Sequence, residues 1–297
     1  MSETATAAVM RDGLERLLVE MRPKLHRYCA RMTGSVIDGE DVLQDAMMKA
    51  LRAVGDGRSP EQPERWLFRI AHNTALDFLR RRSRNEARIA DEDPDMQRDP
   101  SGDFETGEIV TTSLRTFMRL PVLQRSSVIL KDVLGYSLAE IGTIMDARVP
   151  AVKSALNRGR TRLRALALEP DDLPPPELSG PERSLLSRYI DHFNAREFDA
   201  IRDMLAAEVH LQLVARKEMN GRSEVQTYFG NYSATEGWRM RLGFVDRRPA
   251  ILVDDASRGT PSTYFILIGW SGADVALIRD FRYAAYALDG AEVRSAD

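Results

Sequence analysis

Trp66, Arg69, His72 and Asn73 recur at helical spacing and lead straight into Arg80, Arg81, Arg82, Arg84 and Arg88. A surface selective for single-stranded nucleic acid combines planar rings with a cationic track, and an amide can pair with a base edge in two directions. A second group, Lys153, Ser154, Asn157 and Arg158, spans little more than one helical turn and so shares a face. Arg160, Arg162 and Arg164 extend it and suit phosphate contacts, which add affinity but little sequence choice. Between the two groups lies DEDPDMQRDPSGDFETGE, residues 91–108, rich in acids. The formal net charge of the chain is −3, which by itself argues mildly against nucleic acid. Its distribution argues the other way, because two basic patches with an acidic spacer fit two contacts on one polyanion. The alternative is that both patches are solvated helix faces.

Helices must position both groups. Leu14, Leu17, Leu18, Met21 and Leu25 keep a helical period that Thr33-Gly34-Ser35 interrupts. A second helix is expected through Val42, Leu43, Ala46, Met47, Ala50 and Leu51, followed by a loop at Gly55-Asp56-Gly57 and Ser59-Pro60. A third runs from about Pro63 into the arginines, with Trp66, Leu67, Ile70, Leu76 and Leu79 on its apolar side. Residues 109–168 form another helical block. There Ser137-Leu138-Ala139-Glu140 has the capping-box pattern, Asp146-Ala147-Arg148 is a tight turn, and Pro150 suits a first helical turn. Short helix, tight turn and basic second helix describe a helix-turn-helix. Arg148 stands where a Ser or Thr cap would be usual, so the start of the second helix stays open.

In this order the segments resemble those of extracytoplasmic-function (ECF) RNA polymerase sigma factors. EDVLQDAMMKALRAV, residues 40–54, is similar to region 2.2, which docks on the polymerase clamp. PERWLFRIAHNTALDFLRRRSRN, residues 63–85, is similar to regions 2.3 and 2.4, which melt and read the −10 element. Residues 120–166, from LPVLQRSS to RTRLRAL, are similar to region 4, which reads the −35 element. The resemblance implies polymerase contacts at Asp38, Glu40, Asp41, Val42, Gln44 and Asp45, and −10 contacts at Trp66, Arg69, Asn73, Arg80, Arg81, Arg82 and Arg84. It implies −35 contacts at Lys153, Ser154, Asn157, Arg158, Arg160 and Arg162. Without it, the acidic patch at 38–45 reads as a solvated helix start favoured by the helix dipole, and Trp66 as a packing residue.

Beyond the proline-rich linker 169–181, the chain alternates two helical patches with the strand-like runs VHLQLVA, WRMRLGFVD, PAILVDD, STYFILIGW and DVALIRDFRYAAYAL. Early helices followed by strands suggest an α+β domain with a curved antiparallel sheet. Residues 183–215 resemble the opening of SnoaL-like domains, whose cone-shaped sheet closes over a cavity. The fold class expected is therefore multi-domain: all-α sigma regions 2 (10–90) and 4 (110–168) with acidic linker 91–109, then a SnoaL-like α+β domain over 182–295. A ligand pocket would be lined by Trp238, Tyr264, Trp270 and Tyr283. Asp280, Asp246, His192 and His210 are acid–base candidates, but two carboxylates and two histidines are what chance supplies, and no catalytic role is assigned.

Composition bounds the rest. The chain has 297 residues with one cysteine, Cys29, which excludes an internal disulfide and a cysteine-based zinc cluster. No metal or cofactor is expected. No apolar run approaches the ~20 residues that span a bilayer, and MSETATAAVM lacks the basic start of a secretory signal, so a cytoplasmic protein is expected. The expected partners are core RNA polymerase and promoter DNA, with a small ligand or an intramolecular contact of the C-terminal domain open.

Overall fold

The chain first reverses at Gly34, whose φ of 78° is costly for any residue with a Cβ. Ser35 then caps the next helix, its hydroxyl accepting from the amides of Ile37 and Asp38. These two residues join α1 (Glu3–Thr33) to α2 (Val36–Gly55) as an antiparallel pair. The helices cross closely at Gly39, where a Cβ would sit 2.6 Å from the Ala30 backbone. The computed structural model describes residues 3–58, 60–86, 109, 112–169, 173–233, 237–256 and 260–296. The acidic stretch 91–108, Arg88 and part of the proline-rich linker lie outside the described residues.

Two units divide the chain, Met1–Asp171 and Asp172–Asp297. In the first, α3 (Pro63–Glu86) completes a three-helix group with α1 and α2. The second helical block follows as α4 (Leu114–Met118), α5 (Val122–Val128), α6 (Leu138–Met145) and α7 (Val149–Ala167). The expected turn between α6 and α7 is present: Asp146 adopts the left-handed conformation with φ of 54°. Arg148 precedes α7 without a side-chain cap, and Pro150 falls in its first turn. The expected capping box at Ser137 and Glu140 is formed in both directions. Sequence periodicity treats the two helical blocks as separate domains. Here they share one apolar core that runs from Leu18, Tyr28 and Phe68 to Phe117, Ile129 and Leu163.

In the second unit, α8 (Gly180–Asn194) and α9 (Phe198–Asp203) lead into a seven-stranded sheet. The strands are β1 (Leu205–Leu213), β2 (Lys217–Asn220), β3 (Trp238–Val245), β4 (Arg248–Asp255), β5 (Thr260–Ser271), β6 (Asp274–Asp280) and β7 (Val293–Ser295), with α10 (Gly221–Ser233) between β2 and β3. Their order is β2-β1-β6-β5-β4-β3-β7. The expected α+β class holds, but the sheet is mixed rather than wholly antiparallel, because β1 and β6 pair in parallel. Alternation along a strand fixes which face is buried and says nothing about the direction of its neighbour. The last expected strand also stops early: β6 ends at Asp280, and Ala285–Leu288 form a turn of 3-10 helix.

Candidate nucleic-acid interface

On α7 the sequence-predicted face is intact. Val152, Ala155, Leu156, Gly159 and Leu163 turn inward, and this leaves Lys153, Ser154, Asn157, Arg158 and Arg162 exposed on the other side. Gly159 is required where α7 crosses α5, since a Cβ there would meet Val128 at 2.8 Å. Arg160, expected at a phosphate, has its side chain 34% exposed and engaged within the fold. Its guanidinium grips Asp132 with two hydrogen bonds of 2.9 and 2.5 Å. Asp132 is 7% exposed and needs that partner. It lies in a π-helical turn, Ile129–Val133, which continues α5.

On α3, Arg69, Asn73, Arg80, Arg81, Arg82 and Arg84 are exposed, while Trp66 is half-buried and packs against the core. Arg82 pairs with Asp38 at 3.3 Å, and Arg69 lies 3.6 Å from Asp146 in the helix-turn-helix turn. His72 is buried, and its Nδ1 meets the Tyr28 hydroxyl at 2.7 Å.

Burial lowers the His72 pKa to about 4, against an ordinary value of 6.5, because the charged ring would be cut off from water. A depressed folded-state pKa stabilises above pH 6.5, and that stability is lost as pH falls from 6.5 towards 4. Urea unfolding of residues 1–171 should therefore lose about 2 kcal/mol between pH 6.5 and 5 through this group. The loss should be much smaller in His72→Gln; an unchanged pH slope in that variant would remove His72 as the cause.

The acidic patch divides. Glu40 is fully buried and accepts from Arg22, Asp38 is 6% exposed, and Val42 is a core residue. These three of the expected docking contacts are buried: Glu40 and Asp38 are paired with Arg22 and Arg82, as charges so buried must be, and Val42 packs among apolar neighbours. Asp41 and Asp45 face outward on α2, with Gln44 partly exposed beside them.

Several polar contacts join the two helical blocks, and sequence reasoning missed them. The buried Arg125 guanidinium donates to the carbonyl oxygens of Met32 at 2.6 Å and of Met118 and Leu120 at 2.9 Å. Glu64 accepts from Lys24 and from the Tyr136 hydroxyl, both at 2.6 Å, and these hydrogen bonds hold its pKa below the usual carboxylate range. Arg65 donates to Glu140 at 2.7 Å. Hydrogen bonds from Ser137, and then from Arg65, lower the Glu140 pKa to about 2. No local signal marks the three pairings that cross between the blocks, Arg125 with Met32, Glu64 with Tyr136 and Arg65 with Glu140, whose partners lie 72 to 93 residues apart in sequence.

In the C-terminal unit the four expected pocket residues do not meet. Trp238 pairs with Asp255 at one end of the sheet, whereas Trp270 pairs with Val275 beside the β5–β6 turn at the other. Tyr283 is exposed under the Arg216 guanidinium, 4.4 Å from its ring. Alternation put Trp238, Tyr264 and Trp270 on one face but not at one height. The acid–base candidates are also scattered. His192 binds Glu197 at 2.7 Å, His210 binds Asn220 at 2.6 Å, and Asp246 accepts from the Glu292 amide at 3.0 Å. Asp280 is buried among tyrosines. An open, charged depression of about 730 Å³ lies between α9 and α10, lined by Asp199, Arg202, Asp203, Ser223 and Gln226 among others. None of the predicted residues borders it. Among the described residues no cluster could hold a metal ion, and no helix is long and apolar enough to cross a membrane.

These surfaces coincide with the segments that known families match. Residues 17–85 match Sigma-70 region 2, and residues 114–163 match Sigma-70, region 4. ECF RNA polymerase sigma factor SigM of Mycobacterium tuberculosis is 35% identical over 157 residues, covering 52% of this chain and 78% of the relative. SigG of the same organism is 29% identical over 218 residues, covering 63% of this chain and 57% of the relative. The solved SigJ structure from M. tuberculosis aligns over 88% of this chain and 93% of its own, at 16% identity and a TM-score of 0.35, too low to carry an argument. With both regions matched in order and a relative covered over most of its length, the chain belongs to the ECF RNA polymerase sigma factors.

Proposed function

We propose that this chain binds core RNA polymerase through the outward face of α2 and directs it to promoters read by α3 and α7, while the C-terminal unit tunes that activity. One observation carries the reading: each family-matched segment presents an exposed polar and cationic helix face, with its apolar residues turned into a common core. Asp41, Gln44 and Asp45 are the proposed docking contacts. Asn73 would hydrogen-bond an extruded −10 base, with Trp66 and Arg69 beside it and Arg80, Arg81 and Arg84 along the phosphates. Lys153, Ser154, Asn157 and Arg158 would reach base edges at the −35 element, and Arg162 a phosphate. The chain would catalyse nothing itself and would act in the cytoplasm.

The compact N-terminal unit sets a condition on this function. A folded unit of its length is roughly 40 Å across. The −35 and −10 elements, about 25 base pairs apart at ~3.4 Å each, are separated by roughly 80 Å along the duplex. The two reading helices cannot reach both elements while they share one core. Promoter binding therefore requires the shared core to open between α3 and α6, breaking the Glu64–Tyr136 and Arg65–Glu140 contacts. Polymerase contacts would supply the energy.

Run-off transcription with purified core polymerase tests the whole reading, comparing the full chain with residues 1–171. The shorter chain keeps Glu169, which binds Arg119 at 2.5 Å. Both should bind core and give a promoter-dependent transcript, at rates differing several-fold, the sign of the difference giving that of the C-terminal effect. Equal rates would remove the tuning role. No transcript and no core binding by either chain would remove the promoter function and favour an independent helix-turn-helix regulator.

A further inference from the structure

Four cations of the C-terminal unit gather where β1 turns into β2 and β6 ends. Arg216 closes the tight turn that follows β1, Lys217 opens β2, and both are exposed. Strand register sets this turn beside the end of β6. Leu213 pairs with Lys217 on one side and with Asp280 on the other, and the Val214 amide donates to the Asp280 carbonyl at 3.0 Å. Arg279 and Arg282 stand on either side of Asp280 and Phe281 in the chain. Gln212 and Arg279, which meet here, are 67 residues apart in sequence, so no local pattern assembles the patch.

Rings orient three of these side chains. The Arg216 guanidinium lies 4.4 Å from the centre of the exposed Tyr283 ring, that of Arg282 5.1 Å from Tyr232, and that of Arg279 5.6 Å from Phe281. Elsewhere in the unit carboxylates hold arginines: Asp199 holds Arg202, Asp254 holds Arg241 and Glu292 holds Arg294. A carboxylate takes the N–H edge of a guanidinium and offsets its charge. The ring beside Arg216 takes the face, and leaves charge and edge to a further partner. Two carboxylates lie near the patch. Asp280 turns inward to the Tyr228 and Tyr232 hydroxyls, and Glu218, opposite Gln212 in register, lies 3.8 Å from His210 Nε2. Four cations outweigh them. From Lys217 across β1 to β6 is two strand spacings, roughly 10 Å. A DNA duplex carries about six phosphate charges over that length of axis.

We propose that this end of the C-terminal unit is a sequence-independent contact for the phosphates of duplex DNA, with Arg216 and Lys217 reaching them and Arg279 and Arg282 adding to the positive field. Among polyanions, DNA is the one that the family-matched segments already bring to this chain. The contact gives the proposed tuning role a physical means, and rests on that role only for which DNA is met. Because the patch and α7 belong to one chain, a contact too weak to hold DNA alone becomes intramolecular once the −35 element is bound, and it slows release of the promoter.

Fluorescence anisotropy of the full chain on a labelled duplex without a promoter, over a range of salt, tests the contact. Arg216→Ala combined with Lys217→Ala should weaken binding about tenfold at low salt, and should reduce the slope of log association constant against log salt by about 2, the number of phosphate contacts removed. Arg183→Ala combined with Arg188→Ala takes the same charge from exposed positions on α8 and should change neither quantity. The duplex carries no promoter, so the comparison does not depend on sequence reading by α3 or α7, whose failure would show in run-off transcription instead. Equal affinity and slope for the parent and the patch variant, an equal loss in the α8 variant, or no duplex binding by the parent would each overturn the contact. Tighter binding by the patch variant would also overturn it, and would assign the patch to an acidic segment of the chain.

Discussion

Replacing Arg125 by methionine is expected to lower the stability of the N-terminal unit by about 2–4 kcal/mol, the largest effect of any single change there that leaves apolar packing alone. The side chain is 4% exposed and satisfies three backbone carbonyls: Met32 at the end of α1, and Met118 and Leu120 around the end of α4. Methionine keeps the apolar stem but leaves those oxygens without their donor, at a cost of about 1–3 kcal/mol for a buried group left unpaired. The desolvation of the guanidinium is recovered, which is why the sum falls short of three full penalties. That desolvation is real, since burial lowers the Arg125 pKa to about 10. Arg125→Lys should be intermediate, because an ammonium cannot span three diverging acceptors with a planar fork. Urea unfolding of residues 1–171 measures the effect. A loss under about 1 kcal/mol for the methionine variant would mean that water replaces the guanidinium at the junction, and that the two helical blocks are held by their shared apolar core alone.

The second large effect lies on α7. Lys153→Ala and Arg158→Ala should each weaken discrimination at the −35 element by about 10- to 100-fold, the worth of one good contact to a base edge. Both side chains are exposed, and they sit five positions apart on a helix whose opposite side is core. Neither change should alter the fold. Arg162→Ala, by contrast, should weaken transcription from intact and scrambled −35 elements alike and flatten its salt dependence, as loss of a phosphate contact does. Run-off transcription on the two templates at two salt concentrations separates the cases. If Lys153→Ala and Arg162→Ala give the same pattern, Lys153 positions the helix and does not read sequence.

The closed N-terminal unit ties the two results together. Arg125, Glu64 and Arg65 stabilise an arrangement that places Arg69 beside Asp146 in the turn of the helix-turn-helix. On the proposed function, reading two distant elements requires giving that arrangement up. Contacts that favour the free protein therefore work against the promoter-bound one, and polymerase must offset them.

What the sequence determined by itself is local. Helical period, the capping box at Ser137, the tight turn at Asp146 and the proline of α7 act over a few residues, so the helix-turn-helix and its exposed polar face were legible directly. The resemblance in 40–54, 63–85 and 120–166 added the roles. Tertiary structure decided which of those residues stay available. Glu40 is taken by Arg22, Arg160 by Asp132 and Arg82 by Asp38, each over 18 or more residues of chain. In the C-terminal unit, alternation identified inward residues but set Trp270 with Trp238, which β-strand register puts at opposite ends of the sheet. Tyr228 and Tyr232 stand one helical turn apart, but no local pattern shows that both donate to Asp280. A charge in the interior takes whichever partner the fold brings within reach, and along these strands and helices that partner is set by register and crossing, which no local pattern records.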